Sequence, residues 1–153
     1  MNTAEKIDVL RRFPAQLEAL VTDLTPEELT TAYNAPEWTV AQNVHHLADA
    51  HMNGYIRFKL AMTEDNPPIK TYQQPLWAEI ADAKDADIRP SLTIIRGLHQ
   101  RWVTFLEKIE DWSRTGIHPE RGPLTLEQLL DTYVAHCAAH TNQIQAVLDK
   151  MPK

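Results

Sequence analysis

The chain predicts an all-α protein, a four-helix bundle with a short extra helix and long connecting loops. Four long stretches carry apolar residues at helical spacing, helix-capping signatures stand ahead of several of them, and only 4 of 153 residues are glycine. Glycine averages roughly 7% of ordinary chains, and a sheet protein needs it for tight turns, so the shortage favours helices. The length suits one domain spanning residues 1–153, since single cores typically run to roughly 100–200 residues.

In chain order, Ala4 to Leu24 holds Ile7, Leu10, Leu17, Leu20, Val21 and Leu24 on one helical face. Pro14 predicts a kink or restart within it, because proline removes a backbone donor. Thr25-Pro26-Glu27-Glu28 is a helix start: Thr25 caps, Pro26 fits the first position, and Glu28 bonds back to the Thr25 amide. That short piece ends in the turn Tyr33-Asn34-Ala35-Pro36. A second long helix begins after Trp38 with the capping box Thr39 and Gln42, and runs to about Met62. Thr63 to Gln74 reads as a loop, since Pro67 and Pro68 forbid regular structure, and a short helix is expected around Leu76–Ala81. Ser91 opens a third long helix to about Ile109, with Leu92, Ile95, Leu98, Trp102, Phe105 and Leu106 on its apolar face. Asp111 to Pro123, holding Gly116, Pro119, Gly122 and Pro123, reads as irregular. The last helix opens with the box Thr125-Leu126-Glu127-Gln128 and runs to about Met151. No segment reads as a strand.

Composition narrows the function. With 15 basic against 21 acidic residues the net charge is −6, and no Lys/Arg cluster offers a phosphate-binding surface, which argues against nucleic acid and against an anionic membrane surface. The single cysteine, Cys137, cannot close an internal disulfide, and no apolar run reaches the length of a secretory signal or of a ~20-residue membrane span. A cytoplasmic protein is expected.

On the last helix, at ~100° per residue, Leu126, Leu130, Tyr133, Cys137, Ile144 and Leu148 define the apolar centre. His136 and His140 lie on one flank, one turn apart, so their ring nitrogens can converge on one ion; two histidines at the core edge bonded to backbone or water would show the same spacing. No Glu follows His136, so the protease motif H-E-x-x-H is absent. A third ligand is available from the second helix, which offers His45, His46 and His51. Its main apolar stripe is Val40, Val44, Leu47, Tyr55 and Phe58, and His51 projects into that stripe as a packed core residue. A second, polar line of His46, Ala50, Asn53 and Arg57 reads either as solvated surface or as the wall of a pocket, with His46 as ligand and Asn53 and Arg57 binding substrate. Periodicity leaves His46 and His51 both open. Cys137 reads as a small buried hydrophobe, His118 lies in a loop from which it can reach over a site, and Trp38, Trp77 and Trp112 read as core or interface anchors.

Trp38-Thr39-Val40 followed by Val44-His45-His46-Leu47-Ala48-Asp49-Ala50-His51-Met52-Asn53-Gly54-Tyr55-Ile56-Arg57-Phe58-Lys59-Leu60 resembles the YfiT branch of the DinB-like superfamily, the bacillithiol transferase-like proteins. The likeness continues through Thr63-Glu64-Asp65-Asn66-Pro67, Leu98-His99-Gln100-Arg101-Trp102 and His118-Pro119-Glu120, and ends in Tyr133-Val134-Ala135-His136 and His140. The resemblance implies a four-helix bundle, a divalent metal held by His46, His136 and His140, and pairing as a homodimer. Zinc suits such a site on abundance, and nickel also binds imidazole well. The resemblance further implies thiol S-transfer, in which the metal lowers the pKa of a low-molecular-weight thiol that then attacks an electrophile. Arg57 and Asn53 would position the thiol. A hydrolase using water, with His118 as proton acceptor, is the alternative, and a non-catalytic metal-binding stress-response module is a third reading.

Overall fold

The computed structural model describes residues 1–153. Four long helices form the bundle: α1 (Thr3–Val21), α3 (Val40–Thr63), α5 (Arg89–Leu106) and α6 (Leu126–Asp149), with short helices α2 (Pro26–Thr30) and α4 (Gln74–Trp77) in the connections. The capping boxes form as the residue types require. Thr25, Thr39 and Thr125 each accept from the amide three residues on, and Glu28, Gln42 and Gln128 bond back to the cap amide. Asn2 and Glu5 close a fourth box at the head of α1.

α1 packs on α5 and α6, and α3 packs on the same two helices. The first two long helices in the sequence therefore lie diagonally opposite each other, unlike an up-down bundle whose consecutive helices are neighbours. Leu10, Phe13 and Leu17 of α1, Val44, Leu47 and Phe58 of α3, Ile95, Trp102 and Leu106 of α5, and Leu126, Leu130 and Ile144 of α6 are all buried in one core. Each contributes roughly 1.5–3 kcal/mol by leaving water. Every residue of α3 from Val40 to Ala48 is buried, because α2 and a 3-10 turn at Ala81–Lys84 pack on it in addition to α5 and α6. No helix is long and apolar enough to cross a membrane.

Four expectations need correction. Pro14 neither kinks nor restarts α1: it sits buried inside one continuous helix, and the Leu10 carbonyl it leaves without a helical donor is taken by the Nδ1 of His99 at 2.7 Å. The stretch after Asp111 is not wholly irregular. Thr115–His118 (β1) and Gly122–Thr125 (β2) pair antiparallel, His118 opposite Gly122, and Gly122 takes the positive φ of 75° that a residue with a side chain resists. The short helix expected at Leu76–Ala81 begins at Gln74 and gives way to the 3-10 turn. Of the two roles open to Trp77, that of core anchor is excluded: it is 38% exposed and lies against Tyr72.

Candidate metal centre

Two helices bring three imidazoles together. His46 stands on α3, and His136 and His140 stand one turn apart on α6; one ring nitrogen from each lies within 4.8 Å of the others. The Nε2 atoms of His46 and His136 face each other at 3.1 Å, and the ring centroids are 4.3 Å apart for His136 and His140 and 4.5 Å for His46 and His140. A tetrahedral zinc with nitrogens at about 2.0–2.1 Å would hold those nitrogens about 3.3 Å apart. The polar line of α3 is therefore no solvated surface at its His46 end, where His46 is 2% and Ala50 5% exposed, while Asn53 and Arg57 are half-buried.

Burial decides the protonation of these rings. Loss of water, with the neighbouring His140 as a second cause, pushes His46 down to about 3 and His136 to about 3; loss of water alone takes His140 to about 4. All three are neutral at pH 7, the state in which imidazole binds a cation. Their partners aim the free nitrogens. Asn43 donates through Nδ2 to the Thr39 carbonyl and so presents Oδ1 to His140 Nδ1 at 2.8 Å, which leaves His140 Nε2 as the open nitrogen. His136 Nδ1 meets His51 Nε2 at 3.1 Å. Trp38 lies 4.8 Å from His46 and 6.0 Å from His140, nearly parallel to the latter, and forms an apolar wall. The donor set fits a divalent ion such as zinc or nickel: three neutral imidazoles and no fourth side chain in the group.

Residues 10–144 match the DinB superfamily. The chain belongs to the DinB superfamily. Two relatives carry the name "Putative metal-dependent hydrolase". YfiT of Bacillus subtilis (strain 168) is 42% identical over 148 residues, 95% of this chain and 83% of the relative. A protein of Bacillus mycoides (strain KBAB4) is 41% identical over 147 residues, 95% of this chain and 84% of the relative. A solved structure of Bacillus subtilis YfiT superimposes with a TM-score of 0.92 at 41% identity, covering 97% of this chain and 87% of that one. It is described as a probable metal-dependent hydrolase with an unusual four-helix bundle topology, which accords with the diagonal placement of α1 and α3 in this DinB chain.

The remaining sequence candidates are distributed around the three rings. Arg57 donates to the Tyr133 hydroxyl at 3.0 Å and to the Lys70 carbonyl at 2.7 Å, and Tyr133 stands edge-on to His136 with centroids 6.4 Å apart. Arg57 Nε and the Tyr72 hydroxyl are buried without a partner. Burial raises the Tyr72 phenol, with Asp49 as a second cause and Arg57 opposing. Asn53 spends its amide N–H on the Asp49 carbonyl of its own helix at 2.8 Å. His118 is not brought to the three rings by any hydrogen bond: its Nδ1 accepts from the Glu120 and Arg121 amides and holds the β1–β2 turn. Cys137 is 3% exposed, and burial pushes its thiol up to about 12, as befits a small packed hydrophobe. His45 bridges Ser91 Oγ and the Asp85 carbonyl and so ties α3 to the segment before α5.

Sequence reasoning named His51, His99 and Trp38 but missed what they do at this site. His51 is fully buried as expected for its stripe, yet it bonds His136 on one side and His99 on the other. His99 and Trp38 carry the same lesson, since neither is near the histidine pair in sequence. The only local signal is a histidine on an apolar stripe, which needs a polar partner inside the core.

Proposed function

We propose that the protein is a divalent-metal-dependent thiol S-transferase, with zinc or nickel at His46, His136 and His140, acting on a low-molecular-weight thiol of the bacillithiol kind and an electrophile. The observation that carries this reading is a group of three neutral imidazoles with no fourth protein donor, the pattern of a catalytic rather than a structural site. The bound ion would supply Lewis acidity, lowering the pKa of an entering thiol so that a nucleophile is available at neutral pH. The chain's own residues do the rest. His46, His136 and His140 supply lone pairs, Trp38 walls the site, and Arg57 and Asn53 address the polar or anionic parts of the thiol. The unpaired Arg57 Nε, with the Tyr72 hydroxyl also unpaired, supports the assignment of Arg57, because a buried polar atom gains when a ligand pairs it.

A thiol, with an ordinary pKa near 8.5, needs no base beyond the ion, whereas water is far less acidic and benefits from a positioned acceptor. No carboxylate bonds the three rings, and His118 is occupied by the hairpin turn. Hydrolysis with water as nucleophile is the second reading, and the names of the relatives favour it. Metal-loaded protein should conjugate a bacillithiol-type thiol to a model electrophile, and metal-free protein should not. Equal turnover of ester or amide substrates with and without thiol, and no conjugation, would replace transfer with hydrolysis. Pairing of two chains belongs to the same proposal; the exposed Leu76, Trp77 and Ile80 supply apolar surface for it, and sedimentation at dimer mass is expected.

A further inference from the structure

We propose that His99 and His51 are positioning residues that carry a fixed hydrogen-bond direction from the Leu10 carbonyl of α1 to His136, so that His136 presents Nε2 as an unprotonated nitrogen. The proposal rests on the reading that His46, His136 and His140 hold the metal.

The argument starts at Pro14. In a helix the amide of residue 14 would bond the carbonyl of residue 10, and proline has no amide hydrogen. Leu10 is fully buried, so its carbonyl needs a partner from within the protein. His99 provides it, Nδ1 to oxygen at 2.7 Å. A carbonyl oxygen only accepts, and a neutral imidazole has one donor nitrogen and one acceptor nitrogen. His99 Nδ1 therefore carries the hydrogen and His99 Nε2 the lone pair. That nitrogen lies 2.6 Å from His51 Nδ1, which must then donate. His51 Nε2 is left as an acceptor, 3.1 Å from His136 Nδ1. His136 Nδ1 in turn donates, and the lone pair that remains is on Nε2, the nitrogen facing His46.

Three imidazoles in a row can run their hydrogen bonds in either direction. In the reverse direction His136 would hold its hydrogen on Nε2 and be closed to a cation. The Leu10 carbonyl forbids that direction, because it has no hydrogen to give. The apolar walls keep water from breaking the row: Phe13 lies 5.6 Å from the His51 ring and 5.5 Å from that of His99, and Trp102 stands edge-on to both. A metal-binding histidine ordinarily donates its second N–H to a carboxylate, a carbonyl or water. Here the carbonyl acts from two rings away.

The test uses 15N-labelled full-length protein, metal-free and then titrated with zinc, read by long-range 1H–15N spectra of the histidine rings. His99, His51 and His136 should each show a protonated Nδ1 and a bare Nε2 before zinc is added. A protonated Nε2 as the main form at any of the three overturns the proposal. Two variants add an affinity readout against a competing chelator. His99→Gln keeps one donor and one acceptor and should stay within about threefold of the parent, whereas His99→Leu breaks the direction and should weaken zinc by about 10–100-fold while mixing the His136 tautomers. Equal zinc affinity in His99→Leu and the parent, or equal losses in both variants, contradicts it. If His99→Leu does not fold, the parent spectra and His99→Gln decide. Failure of the parent to bind zinc would sink the three-histidine reading, and the metal-free spectra would still decide the direction of the row.

Discussion

Mild acid should destabilise the metal-free protein from its centre. Burial holds His46 and His136 down to about 3 and His99 and His140 to about 4, with His51 also well below its ordinary value. In the unfolded chain each ring titrates near 6.5. The folded values are the lower ones, so between about pH 6.5 and pH 4 the unfolded chain binds more protons than the folded one. Stability is then fully present above pH 6.5 and is lost as the pH falls. Each ring that is protonated only in the unfolded chain contributes about 1.4 kcal/mol per pH unit, hence about 2 kcal/mol between pH 7 and pH 5. His46 and His99 are 2% and 1% exposed, so solvent screening removes little. These two alone give about 4 kcal/mol, against a total stability of roughly 5–15 kcal/mol for a domain. Urea unfolding with a chelator present, followed by helical circular dichroism at pH 7, 6 and 5, measures the loss. A stability that stays constant within about 1 kcal/mol over that range would refute the reasoning, because it would mean that the rings are hydrated or charged in the folded protein.

Other perturbations read the surroundings. A Cβ at Gly54 would stand 2.5 Å from Tyr133 Cζ and 2.9 Å from Trp102 Cη2, so Gly54→Ala should cost about 1–3 kcal/mol and lower the melting temperature by several degrees. Asn43→Leu removes the acceptor that aims His140 and should weaken zinc about 10–100-fold with the fold retained, as a chelator competition would show. Arg57→Met should raise KM for an anionic thiol at least about tenfold with a smaller change in kcat, because it removes positioning rather than lone pairs; an unchanged KM would remove Arg57 from the substrate wall.

The bundle was legible because its helices announce themselves locally. Ile7, Leu10 and Leu17 repeat at helical spacing, and Thr39 with Gln42 and Thr125 with Gln128 start α3 and α6 where the structure starts them. The diagonal order of α1 and α3 was not, since it depends on which faces meet across the core. The β1–β2 hairpin escaped notice because four-residue strands containing Gly116, Gly122 and Pro123 lack a period to detect. Spacing paired His136 with His140, and family resemblance selected His46; the structure brings these three rings together. His51 and His99 were hidden for a different reason. Periodicity tells which face a residue occupies, and a core face says nothing of a hydrogen-bond partner 48 residues away. Pro14 is the clearest case: a helix breaker by local rule, it is accommodated by a histidine from α5.

Metal analysis of untagged protein, combined with X-ray absorption at the metal edge and with His46→Ala as the comparison, tests the central claim most directly. The account predicts one divalent ion per chain, three imidazole nitrogens at about 2.0–2.1 Å if the ion is zinc, and loss of the ion in His46→Ala. Protein that holds no ion, or that keeps it unchanged without His46, would contradict the claim that α3 and α6 meet at a metal.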